Sequence, residues 1–464
     1  MRISTIIGAV MLCALPVAAQ SEQRRLSLDE CLTIALSENP TVKVADMEVT
    51  RVDYSKKEAI GRLLPNIDFG GTYSRMLAKQ VMYMNMSGFG GAAGGDTDGD
   101  ESQAPAGGGD TGIKMGRDNS WSLGFSGSIP LIAPQLWQSI AISDSQILRN
   151  VESASKSRQE LVNQVKSAYY TLLLAEDSRT TIQESYDMAA LTHETYAKQY
   201  ELGAASDYDV LRTSVAMKNI EPEIIQADIA IKQARLQLQI LMGVDADFVF
   251  SPATTLASYE DTMYGETLAI DADYSRNADL RLLDIDTRIL DQTVKLQKLA
   301  YAPTLALSAN YNWTSMNDGN PFKNLRWNPY STIGVSFSVP LFSGGQRYSA
   351  LKQAGIQAAE IRLQRENLER SISMQVSLAI DNIKMNVKQI ASSSESVRQA
   401  DRAHSIMSQS FDIGAASYLD LRDSELALTR ARLAYYQSIY NYLVAQSSLE
   451  LLLGNAPIEK YTAK

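Results

Sequence analysis

The chain has 464 residues, 45% hydrophobic and 21% charged, with a mean hydropathy of −0.17. That balance fits neither a disordered segment nor a bundle of membrane helices. Two Cys and two His are too few for a disulfide scaffold or a structural zinc site, and a net charge of −10 argues against a nucleic-acid partner.

Residues 1–19 read as a secretory signal peptide. Arg2 supplies the positive start, Ile6 to Leu15 the apolar core, and Val17-Ala18-Ala19 the small-residue cleavage site. The apolar run is too short to span a bilayer comfortably. Leu12 is bulky where a bacterial lipid-attachment motif needs a small residue, so Cys13 is not expected to carry lipid. After cleavage only Cys31 remains, which excludes an internal disulfide. No later stretch offers 18 apolar residues in a row, so no transmembrane helix is expected.

The rest of the chain is written twice. Tyr200-Glu-Leu-Gly-Ala-Ala-Ser206 matches Phe411-Asp-Ile-Gly-Ala-Ala-Ser417 at a spacing of 211. Leu241-Met-Gly243 matches Leu452-Leu-Gly454 at the same spacing, and Ile129-Pro-Leu131 matches Val339-Pro-Leu341 at 210. Pro65 matches Pro303 at 238, so the first copy carries 28 extra residues, which fall in the Gly/Asp-rich stretch Gly88 to Gly116. Three matches at nearly one spacing mark a duplication. Residues 20–248 form a first repeat and residues 249–464 a second.

In the first repeat, strands are expected at about 66–84 and 119–130. An extracellular loop should cover 85–118, and long helices 133–202 and 206–242. In the second, strands are expected at about 303–315 and 330–341, and helices at 345–413 and 417–453. The strands alternate strictly. Ile67, Phe69 and Tyr73 alternate with Asp68, Gly70 and Thr72; Ile333, Val335 and Phe337 alternate with Gly334, Ser336 and Ser338. One apolar face with aromatic ends and one Ser/Asn/Thr face, over 9 to 11 residues, is the pattern of an outer-membrane barrel strand. A soluble sandwich with one wet face is the alternative. Export and the absence of further strands to pack against count against it. Four strands cannot close a barrel, and open edges are not tolerated in lipid, so the chain must oligomerise.

Gln135 to Leu202 contains neither Gly nor Pro, and Gln346 to Ile413 only Gly355. As continuous helices each run would extend roughly 100 Å, a length that implies coiled-coil or tubular packing. Gly203 and Gly414 are suited to end these helices, and Ser206 and Ser417 to cap the returning ones. Pro222 should bend or perturb the first return helix.

His193 and His404 lie at polar helical positions with no catalytic set around them, so no enzyme activity and no cofactor is expected. Asp96 to Glu101 resembles a calcium loop but lacks Gly at the sixth position and has Gly107 at the twelfth, so an EF-hand fails. Met82, Met84 and Met86 alternate; thioethers suit Cu(I), but loop packing is the plainer reading.

At this point the chain resembles the TolC-like outer-membrane efflux and secretion channels, the outer-membrane factor family. The marks are Leu26-Ser-Leu-Asp-Glu-Cys-Leu-Thr-Ile-Ala-Leu-Ser-Glu-Asn-Pro40, the paired strand entries at Pro65 and Pro303, the paired Val/Ile-Pro-Leu strand exits, and the paired Gly-Ala-Ala-Ser turns. The resemblance implies a mixed α and β membrane protein. Three copies, with four strands each, would form a twelve-stranded transmembrane β-barrel continued by a long periplasmic α-helical barrel. It also implies an outer-membrane location with most of the chain in the periplasm, and passive conduction of cargo. The implied partners are a periplasmic adaptor and an inner-membrane pump of RND or ABC type. A free-standing porin would need no such helices, and a soluble periplasmic scaffold would leave the membrane on carbonate extraction. Gly203, Ala204, Ala205, Ser206 and Gly414, Ala415, Ala416, Ser417 would then be adaptor-contact tips. The acids that ring the aperture in such channels match Asp420 and Asp423, whose i, i+3 spacing puts them on one helical face. Asp420 also fits a capping box, as Asp209 does. In the gate region, Phe411 and Ala416 stand where the family has a Tyr and an Arg that tie closed tips. Asp209 therefore lacks two partners, and another tie or a looser gate must follow.

Overall fold

In a computed structural model the described residues are 24–83, 112–260, 272–455, 458 and 460. The signal segment, the Asp96–Glu101 stretch, Met84 and Met86 lie outside them. The chain divides into two compact units, 1–52 with 146–288 and 359–464, and 53–145 with 289–358.

The second unit holds a four-stranded antiparallel sheet. Its strands are β2 (Asn66–Arg75), β5 (Asn119–Ile132), β7 (Thr304–Asn317) and β8 (Asn328–Ser338), in that spatial order. The register places Phe69, Phe125 and Tyr311 in one row and Asp68, Ser126, Asn310 and Thr332 in the next. Residues directly opposite share a face, so alternation along each strand becomes an apolar face and a polar face across the sheet. Aromatic rings stack across strands on the apolar face, Phe69 on Phe125 at 4.8 Å and Tyr73 on Trp121 at 4.5 Å. Both edge strands, β2 and β8, are exposed along their full length.

The strand expected at about 66–84 is two strands. β2 ends at Arg75, and the chain resumes as β3 (Gln80–Tyr83), which pairs with β4 (Gly112–Met115) in a separate two-stranded ribbon. Lys79 lies between Asp118 and Asp318 at 3.0 and 3.1 Å, a charged corner unsuited to a continuing apolar-faced strand. β4 falls inside the segment expected to be loop. The end of the stretch Gly88 to Gly116 thus supplies the ladder partner of β3.

The first unit is helical around a small strand pair, β1 (Arg24–Leu26) parallel to β6 (Phe250–Pro252). Tyr169, on α3 (Pro134–Glu201), donates its hydroxyl proton to the Leu26 carbonyl at 3.1 Å. Leu32, Tyr169, Leu172, Leu238, Phe250, Ile439 and Tyr442 are fully buried there. Cys31 belongs to this core, and burial pushes its thiol up to about 12, so it is chemically quiet.

Two short helices, α1 (Leu28–Glu38) and α2 (Pro40–Gly61), precede the first strand. The returning helices of the first repeat are α4 (Asp207–Lys218) and α5 (Glu221–Met242). Pro222 stands in the first turn of α5, and the helix is locally interrupted at Asn219 and Ile220, both of which keep right-handed helical dihedrals. Proline has no N–H to donate and its ring crowds the carbonyl four residues back. In the second repeat α6 (Ala278–Leu299) precedes the sheet, then α7 (Gln346–Asp412) runs out and α8 (Tyr418–Leu453) returns unbroken for 36 residues.

A buried asparagine closes each return helix. Asn39 donates to the Leu241 carbonyl and Asn277 to the Leu452 carbonyl, both at 2.8 Å. Each contact lets Gly243 or Gly454 approach a backbone so closely that a Cβ would meet Glu38 O at 2.8 Å or Arg276 O at 2.1 Å. Among the described residues no helix is long and apolar enough to cross a membrane.

Candidate periplasmic aperture

The two hairpin ends have the same construction. Helix α3 stops at Gly203 (φ +76°) and α7 at Gly414 (φ +74°), left-handed conformations that favour glycine. The chain turns back through hydrogen bonds from Ala204 N to Gln199 O and from Ala415 N to Ser410 O, each 2.7 Å. Ala204, Ser206, Ala415 and Ser417 are exposed, whereas Ala205 and Ala416 are half-buried.

Both return helices open on a complete capping box. Ser206 Oγ accepts from Asp209 N at 3.2 Å, and Asp209 accepts the Ser206 hydroxyl at 2.7 Å. Ser417 Oγ accepts from Asp420 N at 3.3 Å, and Asp420 accepts the Ser417 hydroxyl at 2.6 Å and the Ser417 N–H at 3.1 Å. Bonds from the serine hold both carboxyls below the usual aspartate range. Asp420 thus serves the cap while remaining exposed, and Asp423, one turn further on, is exposed as well. Two residues beyond, burial pushes the Glu425 carboxyl up, with Arg422 opposing.

Duplication extends to the histidines. His193 Nδ1 meets Thr213 Oγ1 at 3.1 Å, and His404 Nδ1 meets Ser424 Oγ at 3.3 Å. Each pins the outgoing helix of a hairpin to the returning one. Burial pushes His404 below the usual histidine range.

The tie between the two hairpins of one chain comes from residues that sequence reading did not assign to it. Arg212 lies with its guanidinium 4.4 Å from the Tyr418 ring centre and 5.8 Å from that of Tyr208, and 3.5 Å from Asp209. Tyr196 packs at 5.8 Å against Tyr418 and at 6.1 Å against Phe411. Asp209 and Phe411 are therefore brought into one cluster with Arg212, Tyr196 and Tyr418. The only sequence signal was that Arg212 and Asp423 occupy equivalent places in the two repeats. Among the described residues no group of three or more His, Cys, Asp or Glu is disposed to hold a metal ion. The Met82 side chain is not among the described features.

The family model for outer membrane efflux protein matches residues 31–244 and 270–455. The chain is 21% identical over 335 residues to outer membrane protein TolC of Vibrio cholerae, covering 72% of this chain and 76% of that protein. It is 23% identical over 304 residues to the cobalt-zinc-cadmium resistance protein CzcC of Cupriavidus metallidurans, covering 64% and 68%. Its fold matches the crystal structure of the Campylobacter jejuni CmeC outer membrane channel with a TM-score of 0.73 at 15% identity, over 100% of this chain and 98% of that one. With capped helical hairpins, a two-faced sheet and a family match over both repeats, the chain belongs to the outer membrane efflux protein family and is an outer-membrane exit channel.

Proposed function

We propose that three copies of this chain close into one conduit, a twelve-stranded barrel in the outer membrane above a twelve-helix periplasmic tube. The observation that carries this reading is the four-stranded sheet with both edge strands exposed. In lipid, unpaired N–H and C=O groups on such edges would each cost several kcal/mol, and closure by further copies satisfies them. The tips would meet a periplasmic adaptor through Gly203 to Ser206 and Gly414 to Ser417. An inner-membrane pump of RND or ABC type would deliver cargo through that adaptor. The channel itself performs no bond chemistry.

Asp420 and Asp423 would line the aperture. Three copies contribute six carboxylates, a ring that favours cations. The capping role of Asp420 does not compete with this, because the box uses Oδ2 alone. The test is a detergent-solubilised mass by light scattering followed by planar-bilayer recording. A trimer is expected, with reversal potentials in a salt gradient shifted toward non-selectivity in Asp420→Asn/Asp423→Asn. A monomer would end the conduit reading, and an unchanged reversal potential in an intact trimer would return both acids to an outer face.

A further inference from the structure

Inside one chain the four long helical stretches lie side by side in a definite order. Arg179 and Asp228 join α3 to α5 at 3.2 Å. Arg432 joins α8 to α3 through Glu184 and to α7 through Asp401. Along the shafts the order is α5, α3, α8, α7, which leaves α5 and α7 as the two outer flanks, while at the tip α4 also reaches α8 through Arg212 and Tyr418. Both flanks carry unpartnered apolar side chains, among them Ile225 and Ile229 on one and Leu378 and Met385 on the other, all more than half exposed. The inner junction between the two hairpins is held by three attractions: Lys166 to Glu450 and Arg432 to Glu184 between α3 and α8, and, at the tip, Arg212 of α4 over Tyr418 of α8.

The two hairpins correspond position by position at their ends, since caps and His–hydroxyl pins recur at a spacing of 211. In a closed ring of copies, which this inference takes from the conduit proposed above, hairpins alternate first, second, first, second. Each junction between copies then repeats the inner junction with every residue replaced by its counterpart 211 positions away. None of the three attractions survives that replacement. Lys166 and Glu450 become Ser377 and Gln239. Arg432 and Glu184 become Glu221 and Glu395, the latter already paired with Arg398 at 2.7 Å. Arg212 and Tyr418 become Asp423 and Asp207. Further from the tips, the hydrogen bond from Ser447 to Asn163 at 2.7 Å becomes Leu236 against Met374, both exposed in the single chain.

We propose that α4/α5 of one copy docks on α7 and α8 of the next, zipped by apolar contact at Leu236 and Met374 and repelled at the tip by Asp207 against Asp423. The channel therefore has two kinds of seam. Seams within a chain are tied at the tip, and seams between chains are the ones that part. Two like charges at contact disfavour closure, and apolar burial further up holds the ring together while the tips separate.

Cysteine pairs test the docking. In full-length protein in membranes, Leu236→Cys/Met374→Cys and Asp207→Cys/Asp423→Cys treated with a short bis-maleimide should each give covalent trimers on denaturing gels. A trimer by light scattering that yields no inter-chain product from either pair overturns the docking while leaving the conduit intact; a monomer overturns both. Charge exchange tests the gate. Asp207→Arg creates an ion pair with Asp423 and should lower open probability by about threefold, the scale of a partly exposed pair. Adding Asp423→Arg restores repulsion and should restore opening. An open probability in Asp207→Arg that is unchanged, or that is not rescued by the second substitution, overturns the repelling seam.

Discussion

The two hairpins begin from the same turn and the same capping box, yet they differ from the second turn inward. The first return helix is interrupted at Asn219 and Ile220 and places Arg212 over an aromatic ring of the other hairpin. The second runs unbroken and places Asp423 on an exposed surface. Duplication conserved what every helix end requires, donors and acceptors for its terminal backbone groups. It left free what differs between neighbours, the charge carried one turn further along.

The largest effect should come from the helix closures, where the repeats differ in tightness. Gly454→Ala places a Cβ 2.1 Å from Arg276 O, against 2.8 Å from Glu38 O for Gly243→Ala, and both positions have φ +70°. Left-handed strain plus backbone overlap should cost on the order of 3 kcal/mol at Gly454 and clearly less at Gly243. Thermal unfolding of the two variants measures the difference. Equal losses would mean that strain alone acts.

Next in size is the interruption itself. Pro222→Leu supplies the missing N–H and should join α4 to α5, by an amount approaching the ~3 kcal/mol that an interior proline costs a helix. Slower amide exchange across residues 218–224 is the readout. Unchanged exchange would show that packing around Ile220, which is buried, sets the break instead.

The smallest effects lie where the hairpins agree. Ser206→Ala and Ser417→Ala should each cost about 1 kcal/mol, because the two boxes are the same. Both boxes also set a pH dependence. Asp209 and Asp420 have depressed folded-state values, so their contribution is present above the unfolded aspartate range near pH 4 and is lost as pH falls through the folded values. Exchange at both tips should rise together on acidification below pH 4; a rise at one tip alone would break the equivalence.

The sequence by itself determined the duplication, the two-faced strands, the hairpin ends and the caps. These depend on local rules, such as the period of two along a strand or a serine three residues before an acid, and neighbours along the chain suffice to satisfy them. Strand β4 escaped because its Gly/Asp-rich surroundings read as loop, and only its partner β3 makes it a strand. The short pair β1 and β6 joins residues more than two hundred positions apart, with no periodic signal over three residues each. The closures by Asn39 and Asn277 and the stacking of Arg212 on Tyr418 were decided by tertiary structure. Each joins side chains from distant segments, and a polar or aromatic group acquires such a role only when packing brings its partner within a few ångströms.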